Sequence, residues 1–318
     1  MVKNTIIITV VLAALLFFIP FVWGKTNIGP GLQTYNSFTL KMTETGDLIT
    51  LTPEEYLIGC LYAQIPPNYH PEALKAQAVA AHTYALRFIR DNTLNPDLST
   101  DGAQLSDDAR TFQPYYNEQK AREYYKEDYD LYYKAINEAA IFGAKHAVLF
   151  AGEPICAVYH NISSGVTNTP ESVWGLSFPY LKSVNSSWDK SHTGYLCQNE
   201  ITLDDIKIMF LKQNRETKIP ESADKWFAEP IVNDGGYVGR INIDADVFSG
   251  GDIWRILNLR SPAFTVTRSG DIFSFETKGY GHGVGLSQYG ADYMANKGYT
   301  AHQILSYYYS GIEIKKIK

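Results

Sequence analysis

Cysteine is scarce in this chain of 318 residues, with only Cys60, Cys156 and Cys197. An odd count without CxxC spacing supplies neither the disulfide framework of a small secreted domain nor a zinc-ribbon pattern. Basic runs are also missing. Lys and Arg total 28 against 34 acidic residues, for a net charge of -6. No concentrated cationic surface is therefore expected, which argues against nucleic acid as a partner. No internal repeat is visible. No GxSxG elbow surrounds Ser163 or Ser164, so His160, Ser163, Ser164 and Asp189 do not read as a Ser/His/Asp hydrolase. The length suits one large or two smaller domains with a sizeable core.

One residue type is abundant: there are 23 tyrosines. Aromatic faces stack on sugar rings and nucleobases, and they also fill cores. The other conspicuous feature is the start of the chain. Thr5 to Trp23 runs without charge for about 19 residues, enough at ~1.5 Å per residue to cross a ~30 Å hydrocarbon core. Lys3 precedes this run. Bulky Phe21, Val22 and Trp23 stand where a signal peptidase needs small residues, so the segment reads as an uncleaved anchor with the long C-terminal part outside. Residues 1–25 are thus expected to be a membrane anchor and 26–34 a Gly/Pro-containing tether. Residues 35–318 are expected to form one mixed α+β extracytoplasmic domain with a cleft.

Within that domain SFTLKMTETGDLITLT predicts a hairpin around Thr45-Gly46-Asp47. Thr52, Pro53 and Glu55 form a capping box with Pro at the first helical position, predicting a helix over about 53–63. PEALKAQAVAAHTYALRFIR predicts a second helix from Pro71 that ends before Asp91. Glu72, Ala76, Val79, Thr83 and Leu86 share one face of it. Residues 93–130 read as a polar surface excursion. Helix follows over about 130–144, then short strands in AVLF and ICAVYH, a polar loop in HNISSGVTNTPESVWG, and further helices and strands to the C-terminus. On the ICAVYH strand Cys156, Val158 and His160 would share a face, but two ligands without a third read more simply as core.

Taken alone, Glu72 is a glutamate favoured by the positive end of a helix. That field lowers its pKa, whereas a general acid needs the pKa raised, and only desolvation by the apolar face behind it would do so. GYGHGVGLSQYGA places glycines on both sides of His282, permitting positive φ and close approach. It lies outside any βαβ unit, which rules out a dinucleotide reading. Lys182 and Asp189 read either as a solvated ion pair or as ligand-binding charges.

Four co-linear motifs, PEALKAQAVAAHTYAL, SSGVTNTPESVW, PYLKSV and GYGHGVGLSQYGA, together resemble the stage II sporulation protein D family of membrane-anchored lytic transglycosylases. EEYLIGCLYAQIP and ILSYYYSG extend the resemblance over about residues 36–314. It implies cleavage of the β-1,4 bond between N-acetylmuramic acid and N-acetylglucosamine in peptidoglycan, during cell-wall remodelling for engulfment. Glu72 would be the catalytic residue, serving first as acid and then as base, with a 1,6-anhydro product. His282, Gln288, Ser163, Ser164, Lys182, Asp189 and Tyr289 would bind the glycan, and Tyr115, Tyr116 and Tyr159 would add stacking faces. A two-carboxylate hydrolase would instead need Asp189 as partner. The resemblance further implies stem-peptide-free glycan strands as substrate and the stage II sporulation proteins P, an amidase, and M as partners, with no cofactor. An amidase-enhancer type protein, binding glycan or a partner without cutting, is the alternative. Two positions depart from the family: His82 stands where Arg is usual, and Gln64 where an acid is usual. Some relatives hold a metal with Cys and His on the loop that begins at His160. That loop has no cysteine here, so no metal is expected, and a bridge between Cys156 and Cys197 stays open. Arg90 shares the Glu72 face but lies about 27 Å along the helix, too far to join the same site.

Overall fold

The computed structural model describes residues 32–94, 100–109, 111–213 and 219–317. The expected anchor and most of the tether fall outside these residues. Among the described residues no helix is long and apolar enough to cross a membrane.

The chain opens with the antiparallel hairpin of β1 (Phe38–Lys41) and β2 (Leu48–Leu51), in register Lys41 with Leu48. α1 (Pro53–Gln64) follows, with the expected capping box: the Thr52 hydroxyl accepts from the Glu55 amide and the Glu55 carboxylate accepts from the Thr52 amide. α2 (Pro71–Leu94) runs a turn further than its composition suggests. Through its middle it is buried on every side, which its alanines permit. A later helix comes close to it at Gly143, where a Cβ would lie 2.6 Å from that of Ala78.

Residues 93–130 are only partly the surface excursion expected. β3 (Leu105–Ser106) pairs in parallel with β1, and Phe112, Gln113 and Tyr115 are buried, with the Gln113 amide donating to the Ala81 carbonyl at 2.9 Å. The polar composition concealed this because the amide is satisfied by helix backbone rather than by water. α3 (Glu118–Tyr125) and α4 (Tyr129–Ala144) then pack on α1 and α2. β4 (His146–Phe150) and β5 (Glu153–Pro154) form an edge sheet, and β6 (Tyr159–His160) is only two residues long.

After the loop that contains α5 (Pro170–Trp174), the chain builds a second hydrophobic cluster. β7 (Leu196–Thr202), α6 (Leu203–Leu211), β8 (Ile231–Val232), β9 (Val238–Ile243), β10 (Asp246–Phe248), α7 (Gly250–Ile256), β11 (Phe264–Ser269) and β12 (Ile272–Lys278) surround Phe210, Trp226, Phe248, Phe273 and Phe275. It then returns to the first cluster through β13 (Leu286–Ser287), α8 (Gln288–Asn296), α9 (Ala301–Tyr308) and β14 (Glu313–Lys316). The result is mixed α and β with several small sheets, the largest three-stranded. All three cysteines are free. Burial raises the Cys60 and Cys156 thiols to about 12, and Cys197 donates to Asn199, so the possible Cys156–Cys197 bridge is absent.

Candidate functional site

Two segments far apart in sequence meet in the parallel pair β6–β13, with Tyr159 opposite Leu286 and His160 opposite Ser287. Ile162 bridges Tyr280 and Asn168 bridges Val284, so the 160–168 loop and the glycine-rich segment zip together. Glycine is required at 285: φ is +75°, and a Cβ there would lie 2.1 Å from the Val158 carbonyl. Tyr237, the residue before β9, was not singled out by sequence. Its hydroxyl accepts from the Ser164 amide at 3.0 Å and donates to the Val166 carbonyl at 3.2 Å, pinning the loop from the other side.

Asp189 stands at the centre of this junction, fully buried, and Lys182 is exposed. The solvated pair between them is therefore not formed. One Asp189 oxygen accepts from the Ser163 amide and the Ser287 hydroxyl, both at 2.8 Å. Ser287 is also the N-cap of α8, its oxygen accepting from the Gly290 amide at 3.1 Å. Burial raises the carboxyl to about 6, against the opposing pull of the Ser163, Ser287 and Ser186 bonds. His160 and His282 lie nearby with ring centres 5.9 Å apart. Burial lowers His160 to about 4, and burial together with the charge of His160 lowers His282 to about 3, so both are neutral at pH 7. Ser163, Ser164, His282 and Gln288 are buried as well, and the Gln288 amide donates to the Gln64 carbonyl at 3.0 Å. As they stand, these side chains build the floor of the site rather than its surface.

The ionisations predict a pH dependence of stability. Between about pH 4 and 6 the histidines bind protons only in the unfolded chain, so acidification destabilises through them. The Asp189 pKa is higher folded than unfolded, so the folded chain takes that proton first and stability gains as pH falls from about 6 to 4. Asp189→Asn removes only the opposing contribution. Its melting temperature should fall more steeply than the parent's between pH 6 and 4; parallel curves would mean that Asp189 does not titrate there.

Glu72 sits apart from this junction, in the first turn of α2. One carboxylate oxygen accepts from Lys75 Nζ and the other from the Ala301 amide that begins α9, both at 2.7 Å. The Glu72 amide donates to His70 Nδ1, and the His70 amide donates to Asp292 on α8 at 2.7 Å. The side chain is 27% exposed. Partial burial pushes its pKa up, but the Lys75 and Ala301 bonds and the charges of Lys75 and His70 outweigh this and hold it below the ordinary carboxylate value. The apolar face of α2 therefore does not supply the net rise that an acid would need.

α8 links Glu72 to an aromatic surface. Tyr289, Asp292 and Tyr293 share its outer face. Tyr289 meets His192 edge-on at 4.7 Å and its hydroxyl lies 3.1 Å from that of Ser191. Tyr293 stacks on Trp188 at 5.5 Å, and Trp188 is 5.6 Å from Tyr307. These rings are half-buried, and Lys297 Nζ lies 5.4 Å from the centre of the Tyr293 ring. The tyrosines thus divide differently from expectation. Tyr115 and Tyr159 are buried and Tyr116 and Tyr289 half-buried, while Tyr307 is partly buried against the main core beside Trp188.

No group of three or more metal-ligating side chains occurs among the described residues. His82 places Nδ1 3.0 Å from both the Gly143 and His146 carbonyls, joining α2 to the end of α4.

Similarity to known proteins covers the same elements. The model of the SpoIID family, Stage II sporulation protein, matches residues 42–150, which include Glu72. The chain is 34% identical over 265 residues to Stage II sporulation protein D of Bacillus subtilis (strain 168), covering 83% of this chain and 74% of that protein. It is 33% identical over 273 residues to Stage II sporulation protein D of Bacillus amyloliquefaciens, at the same coverages. It is 25% identical over 304 residues to the Amidase enhancer of Bacillus subtilis (strain 168), covering 80% of this chain and 39% of that protein. With the family segment spanning α2 and such identity over most of its length, the chain belongs to the stage II sporulation protein D family.

Proposed function

We propose that the protein is a peptidoglycan lytic transglycosylase, acting in cell-wall remodelling during sporulation and held at the outer face of the membrane by its N-terminal segment. The observation that carries the reading is the seat of Glu72, a partly exposed carboxylate one helix away from a surface of half-buried aromatic rings. Sugar rings present flat C–H faces that such rings accept. A strand lying along α8 would bring a glycosidic oxygen to Glu72. There the carboxyl donates its proton as the oxocarbenium-like state develops, then takes one from the muramic C6 hydroxyl that attacks C1. Glycosidic bond cleavage and anhydro ring closure conserve all atoms, and no water is consumed.

In the free protein Glu72 is ionised and both its oxygens are occupied, so substrate must displace Lys75 before the acid step. Lys75→Met should therefore raise the Glu72 pKa and move the high-pH limb of the kcat/KM profile for glycan cleavage to higher pH. An unmoved limb would mean that Lys75 does not set the ionisation of the reacting group. The same occupied carboxylate is the observation that favours a second reading, a glycan-binding amidase enhancer without chemistry of its own. Incubating the purified protein with peptide-free glycan strands decides between the two: the first reading expects shortened strands, the second intact ones.

A further inference from the structure

Arg260 lies in the turn between α7 and β11, outside the family motifs. Its carbonyl accepts from the Gly281 amide at 2.9 Å, tying that turn to the glycine-rich segment. Its guanidinium carbon lies 4.5 Å from the centre of the Tyr280 ring. One guanidinium nitrogen stands beside Gly194, where a Cβ would lie 3.4 Å away and His192 Nδ1 3.2 Å away. Among the described residues no carboxylate pairs with Arg260, although it is half-buried. In the free protein Lys75, the cation beside Glu72, is paired with that carboxylate. Through His192 and its contact with Tyr289, Arg260 adjoins the outer face of α8, and the Asp292–His70 bond carries that face on to Glu72.

A half-buried guanidinium left without a carboxylate, its plane supported by an aromatic ring, is suited to accept an anion in two parallel hydrogen bonds. We propose that Arg260 and Tyr280 form an anion subsite of the glycan cleft whose ligand is the lactyl carboxylate of muramic acid. This rests on the glycan reading above. N-acetylglucosamine carries no charge. The lactyl carboxyl of muramic acid is an anion only where no peptide is attached, since a stem peptide converts it to an amide and moves the negative charge outward along the peptide. Arg260 would in this way make the protein itself select peptide-free strands, and the enzyme that strips the peptides would create the recognised group. Tyr280 and His192 fix the position of the guanidinium rather than contacting the charge.

The test is a binding measurement on the full chain carrying Glu72→Gln, so that no strand is cut. Three ligands are compared: peptide-free glycan strands, peptide-bearing strands, and uncharged chitooligosaccharides of the same length. Arg260→Gln should weaken binding of peptide-free strands by roughly tenfold, the order of one lost charge-assisted hydrogen bond, and leave chitooligosaccharide binding unchanged. Arg260→Lys should fall between the two. Chitooligosaccharide binding also shows that the variants are folded. The subsite is overturned if peptide-free strands bind Arg260→Gln as tightly as the parent, if the loss is equal on the uncharged ligand, or if it is confined to peptide-bearing strands. Failure of the parent to bind any of the three ligands would overturn the glycan reading and this subsite with it.

Discussion

Glu72→Gln should lower glycan cleavage by about 10²- to 10⁴-fold, the contribution of a positioned general acid, while the melting temperature hardly moves. The variant keeps an oxygen for the Ala301 amide, so the start of α9 stays capped. What it loses is the pairing with Lys75, which is partly exposed and contributes little to stability. Glu72→Ala differs in a useful way, because it leaves the first amide of α9 without its acceptor and should cost stability as well as activity. Comparing strand shortening and thermal melting across the two variants therefore separates chemistry from the structural bond. A glutamine variant with full activity would remove Glu72 from the reaction.

The second large effect is on folding. Gly285→Ala should destabilise by about 3 kcal/mol, because a side chain must adopt φ +75° and its Cβ meets backbone that has no room to yield. The obstacle is the Val158 carbonyl, which also accepts from the Leu286 amide at 3.2 Å in the β6–β13 pair. Relieving the clash means parting that pair, on which the Asp189 junction is built. Gly46, in the β1–β2 turn, is the control. Its φ is +79° but nothing lies within 4 Å of the added Cβ, so Gly46→Ala should cost only about 1 kcal/mol. Chemical denaturation of the two variants measures the difference; equal losses would mean that the close approach at Gly285 is not what requires glycine.

Much of the scaffold was legible because its signals are local. The capping box before α1, the alanine-rich run of α2 and the Thr-Gly-Asp turn of the hairpin each act within a few residues, and each forms where expected. The motifs of the site were legible too, but their arrangement was not. A parallel pair of two-residue strands, β6 with β13, leaves no periodic trace in either segment. Asp189 looked like a wet loop charge because three serines that satisfy it come from residues 163, 186 and 287, which no local pattern connects. Residues 93–130 looked exposed because the stretch is polar and acidic, although the Gln113 amide within it is paired inside the core. Tyr237 and Arg260 carry no motif, and their positions depend on how the second hydrophobic cluster meets the first.

The proposed chemistry makes one demand that binding, folding or loop positioning does not: the new end of a cut strand must be a 1,6-anhydro ring. Mass spectrometry of the fragments released from peptide-free glycan is the most direct test. The account predicts fragments ending in 1,6-anhydro-N-acetylmuramic acid, one water lighter than hydrolytic products, and absent with Glu72→Gln. Fragments with ordinary reducing ends would contradict it and point to a hydrolase with a second carboxylate.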